Sequence, residues 1–178
     1  KNTELNGSSL EVKKTNHINA YLIPGANVIV EKSARPIGEQ GQMDFGSKPV
    51  DGGNFFLNFE EKNQLLKNAP QANKFIREYS NSDEFINGKQ RYCLWLEDSD
   101  LDNAMQIPEI KQRINNVRNM RFASKKKQTQ LEANTPHKFS EIRHQSSKTT
   151  LVVPRVSSEN RPFLPVGIVE GGTIIGDR

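Results

Sequence analysis

One cysteine, one tryptophan and three histidines among 178 residues leave little material for a metal centre or for thiol chemistry. Cys93 has no second cysteine to pair with and sits inside an apolar stretch, which suits packing and a reducing cytoplasm rather than a nucleophile. His17, His137 and His144 fall at no metal-ligand spacing. No apolar run approaches the roughly 18 residues that a membrane span requires, and the opening KNTELNGSSLEVKK has no signal-peptide apolar stretch. No glycine-rich loop follows a strand signal and opens a helix: GEQGQ and VDGGN lie in loop contexts, so neither a P-loop nor a dinucleotide fingerprint is present. A methyltransferase tetrapeptide of the Asn-Pro-Pro-Tyr kind is also missing, and NAY at 19–21 reads as the start of a strand.

Charge is unevenly placed. The net charge is +4, yet residues 109–161 hold twelve Lys or Arg against four Asp or Glu, while the remainder holds thirteen against seventeen. Concentrated cations suit a face that meets a polyanion, because neutralising phosphates takes many Lys and Arg on one surface. A solvated, lysine-rich helix face is the alternative from charge alone.

With 34 % hydrophobic and 26 % charged residues, the chain has the composition of one domain with a modest core. Residues 1–17 are polar and aperiodic, as in a linker from an upstream domain. INAYLIPGANVIVEK predicts a strand, a turn at Pro24 and Gly25, and a second strand. Seven Gly or Pro across residues 35–54 indicate a long loop, functional or a crossover. Asn58 with Glu61 forms a capping-box start for a helix, and Pro70 opens a second helix through QANKFIREY. Asn87-Gly88 supplies a turn into a strand, RYCLWL, with Tyr92, Leu94 and Leu96 on one face and Cys93 and Trp95 on the other, both faces against protein.

From Pro108 onward, about 25 residues without Gly or Pro predict one long helix. Ile110, Ile114 and Val117 form its core stripe, and Lys111, Arg118 and Lys125 recur every seven residues off that stripe. KTTLVVPRV and RPFLPVGIV read as two closing strands joined tightly through SSENR. The class is α+β, a mixed sheet flanked by helices, one of them long and basic.

Six blocks, INAYLIPGANVIV, MDFGSKPVDGGNFFL, ANKFIREYSNSDEFINGKQRYCLWLED, VRNMRFASKKKQT, FSEIRHQ and LVVPRVSSENRPFLPVGIV, occur in that order. Together they resemble the target recognition domain of MmeI-like adenine-specific DNA methyltransferases, bacterial single-chain restriction-modification enzymes. INAY departs from the family's tendency to place a proline third, which bears on strand geometry only. The resemblance covers about residues 18–169, leaving 170–178 as the start of a C-terminal segment. It implies a fragment without catalytic residues, metal or cofactor, whose partners are double-stranded DNA and a methyltransferase domain of the same polypeptide. In the parent enzyme it implies S-adenosylmethionine, adenine-N6 methylation and possible magnesium-dependent cleavage, in the cytoplasm and away from membranes.

Base reading needs side chains with fixed donor and acceptor patterns, and EIRHQ at 141–145 is dense in them. Glu141 and Arg143 share one side of an extended segment: the arginine suits guanine O6 and N7, and the glutamate suits cytosine N4. His144 and Gln145 are weaker readers, and a plain surface ion pair between Glu141 and Arg143 is the alternative. Backbone contacts are assigned to Lys89 and Arg91 at the mouth of the RYCLWL strand, to Arg118, Lys125 and Lys126, and to Arg155, Ser157, Ser158 and Arg161 around SSENR. The competing reading is a small metal-dependent nuclease using Asp51 and Glu60, although Glu60 opens a helix where such carboxylates need adjacent strands.

Overall fold

The computed structural model describes residues 2–5, 8–12, 14–29, 31–33, 35, 38–39, 43–144 and 149–177. The chain divides into two compact units, Lys1–Met43 and Asp44–Arg178. In the first, strands β1 (Asn2–Leu5) and β2 (Ser8–Glu11) form an antiparallel hairpin. The strand pair predicted over 18–32 is absent among the described residues. A single Ile18–Pro24 bridge replaces it, closed by the Asn19 carboxamide, which accepts the Tyr21 and Ile23 N–H groups. Asn19 offers the backbone a local partner that competes with a ladder, and Pro24 removes one of the ladder's donors.

The second unit is built on a four-stranded mixed sheet, in the order β3 (Phe56–Leu57), β5 (Tyr92–Leu94), β4 (Ile76–Ser80), β8 (Ile174–Ile175). The α+β class holds. Helix α1 (Phe59–Asn68) starts with the predicted capping box: Asn58 accepts from the Glu61 N–H, and the Glu61 carboxylate accepts from the Asn58 N–H. Pro70 opens only a 3-10 turn through Phe75, because IREYS is the strand β4, antiparallel to β5 and parallel to β8. Pairing on both edges, with Ile76 and Tyr79 buried, outweighs the helical propensity of that stretch. Helix α2 (Ser82–Asn87) ends at Gly88, whose φ of 64° is the left-handed conformation the Asn-Gly pair suggested.

All three residues of β5 are buried, so both of its faces do lie against protein. The core joins them to Phe55, Phe75, Ile107 and the helical stripe of Ile110, Ile114 and Val117, all nearly or wholly inaccessible. After the short α3 (Leu101–Met105), helix α4 runs only from Pro108 to Phe122, and a separate five-residue helix α5 (Lys127–Leu131) follows. The predicted 25-residue helix is therefore broken. Arg121, fully buried near the end of α4, binds the carbonyls of Glu132, Thr135 and Lys138, which draws the following chain back against α4.

Strands β6 (Thr149–Val152) and β7 (Gly167–Glu170) form a separate antiparallel hairpin. The link between them spans residues 153–166 rather than the tight SSENR connection. Strand β8, in the stretch where a following segment is predicted to begin, lies inside the central sheet beside β4.

Candidate nucleic-acid interface

Beyond β8 the sheet is continued by two short stretches of loop. Ser47 bridges Gly176 in parallel and Lys48 bridges Glu141 antiparallel, with Lys48 and Glu141 exchanging N–H···O bonds of 2.9 and 3.0 Å. Close approach is possible because residue 46 is glycine: a Cβ there would stand 2.1 Å from the Gly176 carbonyl oxygen. The result is a ribbon that carries residues 141–144 on the edge of the core rather than in a free loop.

Three contacts hold the ribbon. The hydroxyl of the fully buried Ser47 accepts the N–H groups of Arg143 and His144 at 3.0 and 3.1 Å. Arg121 grips it from below: Nη2 donates to the carbonyls of Pro49 and Lys138, one residue on each arm, and Nε donates to Val50. His144 meets the half-buried Trp95 edge-on at 5.7 Å, and Trp95 meets Phe139 at 5.1 Å. Burial, with the nearby Arg77 charge, holds the His144 pKa below its ordinary value, so its imidazole is neutral at physiological pH.

Glu141 and Arg143 emerge together from this ribbon, as their spacing predicts. Arg143 Nη2 donates to Glu141 Oε2 at 3.0 Å, Nη1 donates to Asp44 Oδ1 at 2.5 Å, and Lys48 Nζ lies 3.7 Å from Glu141 Oε1. These bonds, the one to Glu141 foremost, raise the guanidinium pKa, so the cation is permanent. The pair thus has the geometry of a surface ion pair and that of a preset donor and acceptor array at once. Gln145 lies outside the described residues.

The predicted backbone contacts separate into two groups. Arg118, Lys125 and Lys126 are exposed, and none forms an ion pair among the described residues. Arg155, Ser157, Ser158 and Arg161 are exposed on the 153–166 connection, where Arg155 stands 5.7 Å over the ring of Phe45, beside Asp44. Lys89 and Arg91 differ. Lys89 pairs with Asp83 at 2.7 Å and Arg91 with the buried Glu84 at 3.1 Å, while the Arg91 guanidinium also lies 4.3 Å over the Phe56 ring. These two cations meet the acids of α2 and an aromatic core residue rather than standing free at the strand mouth.

Asp51 and Glu60 stand in different settings. The Asp51 carboxylate is buried and accepts the Phe55 N–H at 2.6 Å, closing the turn before β3, while Glu60 is exposed in the first turn of α1. Among the described residues no cluster of three or more His, Cys, Asp or Glu side chains is placed to hold a metal. Sequence reasoning missed Asp44, Ser47 and Arg121. None carries a local signal, since their partners lie 99, 96 and up to 72 residues away.

Comparison with known sequences places this arrangement. The family described as "MmeI, target recognition domain" matches residues 24–178. The chain belongs to that family. It is 35 % identical over 168 residues to DNA methyltransferase A of Bacillus subtilis (strain 168), covering 94 % of this chain and 19 % of that protein. The solved Type IIL restriction-modification enzyme MmeI in complex with DNA superimposes with a TM-score of 0.80 at 40 % identity, over 97 % of this chain and 23 % of that one. The target recognition domain thus spans about a fifth of the length of these relatives.

Proposed function

We infer that this target recognition domain reads the DNA sequence for a site-specific adenine-N6 methyltransferase, and that the edge ribbon carrying Glu141 and Arg143 is one of its reading elements. The observation that carries the reading is a cation and an acceptor side by side on an edge hydrogen-bonded to Ser47 and Lys48, within a domain whose relatives include a DNA methyltransferase and a restriction-modification enzyme bound to DNA. Arginine with two N–H groups toward guanine O6 and N7, and glutamate accepting from cytosine N4, suffice to read one G·C pair in the major groove. Arg118, Lys125 and Lys126, with Arg155, Ser157, Ser158 and Arg161, supply phosphate contacts that set register without sequence information.

In this reading the chain makes no bond. Methyl transfer, and S-adenosylmethionine with it, belong to another part of the polypeptide, as would any magnesium-dependent cleavage. Among the described residues no helix is long and apolar enough to cross a membrane, and a DNA-modifying enzyme of a bacterium works in the cytoplasm.

Two measurements test the proposal. Affinity of the 178-residue chain for duplex DNA should fall steeply with salt, with a log-log slope of about 0.9 per phosphate neutralised. Salt-independent affinity would refute the phosphate footing. In the parent polypeptide, Arg143→Ala should relax one base of the methylated sequence and leave the others intact. Arg143→Lys should lose much of the same preference, because an ammonium cannot reproduce a planar fork.

A further inference from the structure

The Arg143 guanidinium is held from two sides, and only one of them belongs to the reading pair. Glu141 Oε2 takes a hydrogen from Nη2, and Asp44 Oδ1 takes one from Nη1. A guanidinium carries five N–H groups in one plane, two on each Nη and one on Nε. After both carboxylates are served, three hydrogens remain, one on each Nη and one on Nε, the set from which a two-bond contact to guanine O6 and N7 is drawn.

Glu141 alone leaves that plane free to turn. One hydrogen bond from a side chain two residues away fixes a direction, and a second acceptor on a different segment fixes an orientation. Asp44 is well placed for this role: its Oδ1 also accepts the Phe45 N–H at 2.8 Å, and two residues on, Ser47 is bridged to the sheet through Gly176. Its carboxylate has a second effect, since with Glu141 it offsets the charges of Arg143 and Lys48 and leaves the cluster near neutrality.

We propose that Asp44 is a specificity-positioning residue, presetting the Arg143 fork for one base pair while restraining the general attraction of this edge for phosphate. The proposal rests on the reading role of Glu141 and Arg143. It predicts opposite signs for two observables. Ordering the long arginine side chain before contact raises discrimination, whereas a negative charge at the edge lowers affinity for any DNA. Asp44→Ala should therefore bind non-cognate duplex more tightly and choose its base less well. Asp44→Asn keeps the Oδ1 acceptor without the charge, so it should gain the same non-cognate affinity and keep most of the choice.

The test compares Asp44→Ala, Asp44→Asn and Arg143→Ala in the parent polypeptide, by sequencing methylated adenines in cellular DNA and by binding to a duplex lacking the site. A bidentate contact discriminates by roughly 5- to 150-fold, and Asp44→Ala should lose about tenfold of it, at the position relaxed by Arg143→Ala and nowhere else. Asp44→Asn should stay within about threefold of the parent. Melting of the 178-residue chain should be unchanged in both Asp44 variants, since the side chain is largely exposed. An unaltered site in Asp44→Ala, with one base relaxed in Arg143→Ala, overturns the role of Asp44 and leaves the reading pair standing. Equal loss in Asp44→Ala and Asp44→Asn also overturns it, because the acceptor would then be irrelevant. If Arg143→Ala relaxes no base, the reading pair itself is refuted.

Discussion

Arg121 is fully inaccessible, and its five N–H groups end on five backbone carbonyls, those of Pro49, Val50, Glu132, Thr135 and Lys138, at 2.7 to 3.1 Å. Burial lowers its pKa, partly offset by the charges of Glu132 and Asp51. Arg121→Lys keeps the charge but offers three N–H groups to five acceptors, so at least two of these charged hydrogen bonds are lost, although the Pro49, Glu132 and Thr135 carbonyls each keep a backbone N–H donor. At about 1 to 2 kcal/mol for each lost bond to the charged group, the lysine variant should lose about 2 to 4 kcal/mol, a large share of the roughly 5 to 15 kcal/mol typical of a folded domain. For a chain of this size that corresponds to a melting temperature lower by about 5 to 15 °C. Urea unfolding followed by circular dichroism would read it as a lower midpoint at constant slope. Since Arg121 holds both arms of the ribbon, base choice in the parent polypeptide should also relax. A lysine variant with an unchanged midpoint would refute the view that this guanidinium braces the domain.

Three further outcomes follow from other contacts. Trp95→Ala should cost less than the about 3 to 5 kcal/mol of a fully buried tryptophan, because Trp95 is only half-buried between Phe139 and His144, whereas Lys125→Ala should melt normally and weaken binding to all duplexes alike; thermal melts and filter binding separate the two. Gly46→Ala should melt lower than any exposed Gly→Ala change, since its Cβ would press on backbone at Gly176 that cannot rotate away. The Asp98 carboxyl lies below its ordinary pKa through its hydrogen bonds to Lys138 and His137. Its contribution is therefore present above about pH 4 and lost as pH falls through the depressed folded value, and Lys138→Ala should flatten that part of the melting-temperature profile on the acid side.

Local rules were legible wherever a residue's partner lies nearby in the chain. The capping box at Asn58 and Glu61, the left-handed Gly88, Pro108 at a helix start and the Ile110, Ile114, Val117 stripe all involve positions within about two helical turns. Elements set by distant pairing were not. Residues 76–80 look helical until β5 and β8 flank them, and the chain after Phe122 looks helical until Arg121 draws it back for carbonyls at 132, 135 and 138. The strand signals at 18–32 yield, among the described residues, the single Ile18–Pro24 bridge.

The same division runs through the interface. Glu141 and Arg143 stand two residues apart, so extended backbone alone places them on one side, and their types alone suggest a G·C reader. Sequence reasoning set reading against a surface ion pair as alternatives. The five donors of the guanidinium make them compatible: one hydrogen to Glu141 and one to Asp44 leave a hydrogen on each Nη. Nothing local marks Asp44 as the second holder, because the contact spans 99 residues and exists only where the ribbon through Ser47 and Lys48 meets the sheet edge. An ion pair that persists on binding and one that must break predict different salt behaviour at a single base pair. If the carboxylates stay, discrimination by Arg143 should be nearly independent of ionic strength while overall affinity falls steeply, because salt screens the phosphate contacts and leaves the neutralised cluster almost untouched.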